Sequence, residues 1–491
     1  MKTKIGIAAL AVIAFVCVLA LTPVAVAIPN PENPTAKILV DMTHGERLEI
    51  DGTTSNISVT DPYDVIVDAT AWADDMREQG YAVDLFTSGE ITASALSGYN
   101  MLAIICPDNT TSGPAYFTQD EADAIKAFVQ KGGGLLLIGD NLLGTGDTPQ
   151  DYENEYDAVY TYDIILNDLG DKTGFNVTFR NDTMCSDNES ERIAGGGPKG
   201  NIWTSNGSKS HRLWTDPNTF SKYTSWHACT LDIDPDYDKI AWGVNTTYST
   251  VKSRDYSPNI TEEGSFPIAM ATEDFGDGTV VWLGDASLQG HVHYGRLYDE
   301  PSYNLSKLHQ NIAKYVMPIY DFNSGAGTNK WAFEKQVGNS PTASQPNSEF
   351  SSADYDKIKK DDGERKESVT DTDGQYAAHR FNISIDQAAT NISTINVTWN
   401  GKGWHDSATD GAKLYIYNFT AGSYRELNST TLDTEVDLTG SVNTTLGISN
   451  YISSSNVTIL VNQTSVQTSA LAKSHIWTDY VMVVVTPKTD S

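Results

Sequence analysis

The chain is poor in cysteine, in positive charge and in long apolar runs. Only four cysteines occur in 491 residues, and Cys17 falls inside the N-terminal apolar segment. Cys106, Cys185 and Cys229 are too few and too scattered for a disulfide framework or a cysteine-ligated metal. Cys106 ends a strand-like run and reads as a buried thiol. Cys185 and Cys229, both in polar segments, are the pair expected to bridge in an oxidising compartment. Lys and Arg number 33 against 64 Asp and Glu, a net charge of −31. Such a surface repels nucleic acid and anionic lipid and suits a salty milieu that screens its self-repulsion. Beyond residue 27 no apolar run approaches a bilayer span. There is no H-E-x-x-H and no G-x-S-x-G. The glycine-rich stretch Gly195–Gly200 lacks the preceding strand and following helix of a phosphate loop.

What is present begins at the N-terminus. Lys2 and Lys4 precede an apolar run from Ile5 to about Leu21, and Ala25-Val26-Ala27 offers a small-residue cleavage site. Residues 1–27 are therefore expected to be a secretory signal, with a retained membrane anchor as the alternative and the only membrane contact. Cleavage would remove both lysines and take the charge to −33. N-x-S/T sequons stand at Asn56, Asn109, Asn176, Asn181, Asn188, Asn206, Asn245, Asn259, Asn304, Asn382, Asn391, Asn396, Asn418, Asn428, Asn443, Asn456 and Asn462. Eight of them crowd into the stretch from Asn382 onward. With a signal sequence, that density predicts an exported, N-glycosylated cell-surface or extracellular protein.

Two periodicities divide the chain. From residue 36 to 317 apolar strands alternate with amphipathic helices. Lys37–Asp41, Tyr81–Phe86, Asn100–Cys106 and Leu135–Gly139 read as strands. A helix is expected from Asp61-Pro62 to Gly80 with Val65, Ala69, Trp72, Ala73 and Met76 on one face. A second opens on the capping box Thr118–Glu121 and stops at Gly132-Gly133-Gly134. Further helices are read over 156–169 and 303–316, a strand over 239–244, and a hairpin across Gly276-Asp277-Gly278. This predicts a doubly wound, mainly parallel α/β sheet. Residues 181–223 read as a decorated insertion, and 318–349 as a linker. From 350 to 487 the period becomes two, as in Ile395–Trp399, Leu414–Tyr417, Val457–Val461 and Tyr480–Val485, which predicts an antiparallel β-sandwich.

Residues 36–317 resemble the class I glutamine-amidotransferase-like superfamily, in its noncatalytic branch found in gliding-motility and intraflagellar-transport proteins. The resemblance rests on Ile38–Asp41 with Thr43-His44-Gly45, on Phe128–Asp140 with its triple glycine, and on Gly278–Asp285. Catalytic members carry a cysteine nucleophile after the strand that follows the glycines. Here Gly139-Asp140-Asn141 stands there, and Gly284-Asp285-Ala286-Ser287 replaces the partnering H-x-E. The resemblance thus implies an α/β unit without amidotransferase activity, binding a ligand or partner. Residues from about 350 to 487 resemble jelly-roll or galactose-binding-like sandwiches of archaeal and bacterial surface proteins, through Trp399-Asn400-Gly401, Leu414–Asn418 and Thr478–Val481. That resemblance implies adhesion or anchoring, with surface glycans or other surface proteins as partners.

Open parallel sheets bind at the carboxyl ends of their strands. Asp41, His44, Asp140 and Asp285 follow such strands, and His291 and His293 could bend toward them. This rim is the candidate site for a divalent cation or sugar hydroxyls, and for metal-assisted hydrolysis of glycans or peptides as the alternative function. Strand-end Asp residues also simply cap the next element. The acidic loops Asp354–Asp356, Asp361–Gly363 and Asp371–Gly374 could likewise hold Ca²⁺ or be solvated. Trp399, Trp404, Tyr415, Tyr417 and Tyr424 are either core or sugar-stacking aromatics.

Overall fold

The computed structural model describes residues 27–488 except 33, 47, 57–66, 111, 141–161, 181, 193–200, 227, 234–237, 251–258, 262–264 and 286–304. The expected signal segment up to residue 26, Asn141, His291, His293 and the sequons Asn181 and Asn304 lie outside the described residues. No helix among the described residues is long and apolar enough to cross a membrane.

The N-terminal half is built on a mixed nine-stranded sheet. Its elements are β1 (Ala36–Asp41), α1 (Thr70–Glu78), β2 (Tyr81–Phe86), β3 (Met101–Ile105), α2 (Gln119–Gln130), β4 (Gly134–Ile138), α3 (Tyr162–Thr173), β5 (Val177–Phe179), β6 (Leu231–Ile233), β7 (Asp238–Trp242), β8 (Ile268–Phe275), β9 (Gly278–Leu283) and α4 (Leu305–Val316). Strand order is β5-β6-β8-β9-β4-β3-β1-β2, with β7 also paired to β8. The run from β9 to β2 is parallel and the β5–β8 side antiparallel. The continuously apolar β3 and β4 are buried on both faces, as parallel strands covered on both sides must be. Ile38, Val40, Ala103, Ile105 and Leu136 pack with α1 and α4. Leu39, Leu102, Ile104, Leu135 and Leu137 pack with α2 and α3 on the other face.

The triple glycine has two separate physical reasons. Gly132 takes φ +101°, which an L side chain resists, and a Cβ on Gly134 would lie 2.5 Å from the Val316 carbonyl oxygen at the end of α4. The first helix is shorter than its pattern suggests. It starts at Thr70, because Val67–Asp68 is used instead as a short strand parallel to Leu48–Ile50, and Asp68 accepts the Thr70 N–H at 3.0 Å. Trp72, Ala73 and Met76 are buried as its apolar face requires. The 181–223 stretch also contains more regular structure than its polarity suggested: Thr183–Ser186 pairs with Thr247–Thr250, and Asn201–Thr204 with Tyr223–Trp226.

The C-terminal half is two antiparallel sheets. One contains β10 (Ile319–Asp321), β13 (Lys366–Val369), β15 (Ile392–His405), β18 (Val436–Asn443) and β20 (Ser474–Pro487). The other contains β11 (Lys330–Val337), β12 (Ser348–Glu349), β14 (Tyr376–Ser384), β16 (Ala412–Asn418), β17 (Ser423–Ser429) and β19 (Asn456–Gln463). Their facing residues, among them Phe381, Trp399, Ile416, Ile459, Ile476 and Val483, make one core. Residues 318–349, read from their polarity as a linker, instead supply β10, β11 and β12 to these sheets. Their alternation is masked by turn residues between short strands.

The halves share a packed junction. Met482 and Val484 of β20 belong to the core that contains α1 and α4. Asn100, 2% exposed, receives the Lys37 N–H on its Oδ1 at 3.0 Å and donates its Nδ2 to the Val485 carbonyl at 3.0 Å. Asn100→Ala strips the Lys37 N–H and the buried Val485 carbonyl of their partner and is expected to cost about 1–3 kcal/mol. Thermal denaturation of the two proteins side by side checks this, and an unchanged melting temperature would refute it.

Candidate functional site

The loop after β1 folds back on itself because Asp41 caps it. Its Oδ1 accepts the Thr43 N–H at 3.0 Å and the Thr43 hydroxyl at 2.8 Å. That turn presents His44, whose Nδ1 lies 2.7 Å from Asp41 Oδ2 and whose ring stacks on Phe117 at 3.8 Å. Glu46 accepts the His44 N–H, and His44 Nε2 lies 3.4 Å from Glu121 Oε1. Glu121 is the capping-box residue of α2. Its Oε2 accepts the Thr118 N–H at 2.8 Å, while Oε1 also accepts the Ile91 N–H at 3.0 Å. Asp41 and Glu46 are fully buried, and His44 and Glu121 nearly so.

Burial alone would discharge this group, but its charges hold one another. Burial disfavours the His44 cation, yet Asp41 and Glu121 outweigh it and raise the imidazole to about 10. Burial opposes ionisation of Asp41, and His44 more than compensates, leaving it below the usual carboxylate range. Glu121 is held at about 2 against burial by His44 and the backbone donors of Thr118 and Ile91. Glu46 is pushed well up by burial and by Asp41, against the opposing pull of His44. Among the described residues, Asp41, His44 and Glu46 alone form a group whose ligand atoms all lie within 4.8 Å of one another and so could share a metal ion. Such an ion would have to displace the proton that His44 Nδ1 gives to Asp41. The acidic loops of the sandwich form no such group among the described residues. Asp354 is instead the capping partner of Ser351 and pairs with Lys366 at 3.3 Å.

Asp140 and Asp285 take part in a different buried neighbourhood. Together with Cys229 they raise the Tyr223 phenol, after burial itself. Asp163, driven well up by burial and by Asp182, accepts the Asp140 N–H and a long contact from the Cys229 thiol at 3.9 Å. A side chain at Gly139 would collide with Phe179 at 2.6 Å and with Asp163 at 2.7 Å, so the residue before Asp140 has no room for a nucleophile. Cys106, directly after β3, has φ +48°, a left-handed backbone that costs a non-glycine residue about 1–3 kcal/mol. The expected Cys185–Cys229 bridge is not formed: Cys106, Cys185 and Cys229 are buried thiols. Cys185 is fixed in the ladder opposite Tyr248, while Cys229 faces Asp163 and Gly284.

Of the aromatics on the sandwich, Trp399 is core, its Nε1 donating to the Thr478 hydroxyl at 2.8 Å. Trp404 is 37% exposed. A bulge explains what faces it. The β15–β20 pairing runs Asn400 to Tyr480 and then Gly401 to Thr478, passing over Asp479. Either side of that bulge the outward residues of β20 change parity, so Tyr480, Met482 and Val484 meet the α/β half while His475 and Trp477 stand clear of it. His475 and Trp477 stack at 5.5 Å with 7° between planes, and Trp404 lies 4.9 Å from His475. Lys402 flanks Trp477, and Glu367 and Asp406 flank His475 at 3.2 and 3.4 Å. Sequence reasoning singled out Trp404 but neither His475 nor Trp477, nor Glu121, whose capping pattern accounted for it fully.

Most described sequons are open or half-open, Asn428 and Asn443 among the exposed ones. Asn462 is 6% exposed, its amide donating to the Gln463 carbonyl, and is closed to modification in the folded chain.

Residues 327–487 match a family model described as "Uncharacterized protein, C-terminal domain". No curated protein matches the chain. Among solved structures, the chain is similar to the "mmIFT52 N-terminal domain", at 12% identity over 57% of this chain and 96% of that one, with a TM-score of 0.35. A putative ThuA-like protein from Bacteroides uniformis matches at 13% identity over 59% and 95%, TM-score 0.29. The CBM22-1 xylan-binding domain of Paenibacillus barcinonensis Xyn10C matches at 11% identity over 34% and 92%, TM-score 0.18. At these TM-scores the functional reading rests on the residues themselves.

Proposed function

We propose that the chain is an exported, N-glycosylated surface protein that binds glycans through its β-sandwich, with the amidotransferase-like α/β unit as its noncatalytic partner. The observation that carries the reading is the Trp404–His475–Trp477 ladder. Three ring systems lie on the outward face of two paired strands, with Lys402, Glu367 and Asp406 around them. The faces of a pyranose are rows of C–H groups, which stack on electron-rich ring faces, while flanking charges bind the equatorial hydroxyls. A solvated sheet face with no partner would be expected to carry short polar residues there instead.

On the α/β side, Asp41, His44 and Glu121 spend their charges on one another, and Asp140 and Asp285 belong to another group, which favours binding or scaffolding over the hydrolase alternative. Trp477→Ala and Trp404→Ala should each weaken binding of a soluble neutral polysaccharide at least tenfold, about 1.4 kcal/mol, without moving the melting temperature. Isothermal calorimetry against a panel of β-linked and α-linked glucans, xylans and mannans reads this. Wild type that binds none of them, or variants that bind as wild type does, would overturn the reading. Mass spectrometry of protein from its own cells should show glycan on exposed sequons such as Asn428 and Asn443 and none on Asn462.

A further inference from the structure

A separate feature lies on the opposite face of the sandwich. Val337, Ala378 and Leu460 form a small apolar island on the outer side of the six-stranded sheet, with Tyr376, Tyr415 and Tyr424 packed around it. All of these but Ala378 line a cleft of about 300 Å³ whose rim includes Asn339, Ser340, Lys413 and Thr464. The Tyr415 and Tyr424 rings meet edge to face at 6.4 Å, and Tyr417 supports Tyr424 at 4.8 Å. An apolar floor with aromatic walls and a rim of hydroxyl and amide groups suits one neutral sugar ring, and the volume is at the small end of ligand pockets. The rim's cation, Lys413, already lies 3.6 Å from Glu426, so an anionic ligand has no free countercharge there.

The wall of the cleft is built rather than incidental. It is the loop after β11, and a buried arginine holds it. Arg380, 4% exposed, stacks its guanidinium over Phe333 at 3.9 Å and spends its donors on the Pro346 carbonyl at 2.8 Å and the Ala343 carbonyl at 2.9 Å. Tyr376 adds a hydrogen bond from its hydroxyl to Asn339 Oδ1 at 3.1 Å. Arg380 also donates to Asn382 Oδ1 at 2.9 Å, and burying a guanidinium on neutral oxygens, with no carboxylate partner among the described residues, is costly. What it secures is the position of the loop that closes the cleft, the kind of preorganisation that raises affinity by lowering the ordering cost.

We infer that this cleft is a second saccharide site, taking a terminal neutral sugar, so that one sandwich joins two glycan strands from opposite faces. The inference rests on the glycan-binding reading of the Trp404–His475–Trp477 face. Two sites on opposite sides of a rigid body cannot serve one short oligosaccharide, but they can cross-link two chains, where linkage multiplies weak affinities.

The test is calorimetry of the full chain with a short oligosaccharide, using whichever glycan the panel shows to bind. Wild type should titrate with two sites, Trp477→Ala with one, Tyr415→Ala with one, and the double variant with none. Wild type should also increase the turbidity of the matching polysaccharide, and each single variant should abolish the increase. Arg380→Lys, which keeps the charge but loses the fork, should weaken the cleft site several-fold while leaving the tryptophan site unchanged. One site in wild type, lost with Trp477→Ala and untouched by Tyr415→Ala, overturns the second site and leaves the first standing. Binding lost only with Tyr415→Ala would overturn the tryptophan reading instead.

Discussion

Lys314→Met is expected to destabilise the folded chain by about 3–5 kcal/mol, the cost of leaving buried charges without their partner. Lys314 sits on α4, 5% exposed, with its Nζ 2.9 Å from Asp216 Oδ1 and 2.7 Å from Asp321 Oδ2. Both carboxylates are themselves buried. Around them the hydrogen bonds are complete: Asn323 donates to Asp216 at 2.6 Å, the Tyr480 hydroxyl to Asp321 at 2.7 Å, and Arg212 to the second Asp216 oxygen. Burial would raise Asp216, but Lys314 and Arg212 hold it at about 2. Methionine fills the space and supplies no charge, so two carboxylates face each other in a poorly solvated junction. Because Asp321 and Tyr480 come from the sandwich and Lys314 from the α/β half, the loss should loosen the junction as well as lower stability. Urea denaturation measures the first and limited proteolysis across residues 318–330 the second. Adding Asp216→Asn and Asp321→Asn to Lys314→Met should recover most of the stability. A single variant within 1 kcal/mol of wild type would refute the account.

That ion triad was not legible in the sequence, and the reason is general. Lys314 has the spacing of a helix residue on a strongly amphipathic segment, and nothing local says that it pairs with Asp216, about a hundred residues earlier, and with Asp321 in the first strand of the sandwich. Features fixed by neighbouring residues are legible in the sequence. The capping box at Thr118, the strand Tyr81–Phe86 and the hairpin at Gly276–Gly278 depend on neighbouring residues alone, and the structure has them in place. Errors fall where tertiary pairing overrides a local pattern. Val67 and Asp68 leave the helix to join Leu48–Ile50, and β10 and β11 look like linker until β20 and β14 pair with them. The rim divided for the same reason. Asp41 and His44 are three residues apart and meet. Asp140 and Asp285 share only the property of ending strands, and their neighbours Tyr223, Asp163 and Cys229 come from elsewhere in the chain. The tryptophan face needed the bulge at Asp479, which flips the outward parity of β20 and has no sequence signature of its own.

Acid should act on the sandwich through His379, by about 3 kcal/mol between pH 7 and pH 4. The ring is fully buried, with Nδ1 2.8 Å from the Thr478 hydroxyl and Nε2 2.9 Å from the Ser368 hydroxyl. Its tautomer follows from its neighbours. The Thr478 oxygen already accepts the Trp399 N–H, so its own proton goes to His379 Nδ1. The Ser368 hydroxyl donates to Glu334 at 2.6 Å, so its oxygen accepts from His379 Nε2. The chain of bonds is thus complete only with a neutral ring, and it ends on Lys366, 3.0 Å from Glu334. Burial lowers this histidine to about 3, Lys366 adds to the effect, and Asp354 opposes it. Its folded value lies below the unfolded value of about 6.5, so below that pH the unfolded chain binds a proton that the fold refuses. Stability is then lost as pH falls from 6.5 toward 3, at about 1.4 kcal/mol per pH unit. Buried acids with raised values, Glu46 and Asp163 among them, act in the opposite direction, so the histidine must be isolated by substitution. His379→Gln should be less stable than wild type at pH 7 yet lose about 3 kcal/mol less on going to pH 4. Urea denaturation of both proteins at the two pH values provides the comparison, and parallel losses would show that His379 carries no such proton linkage.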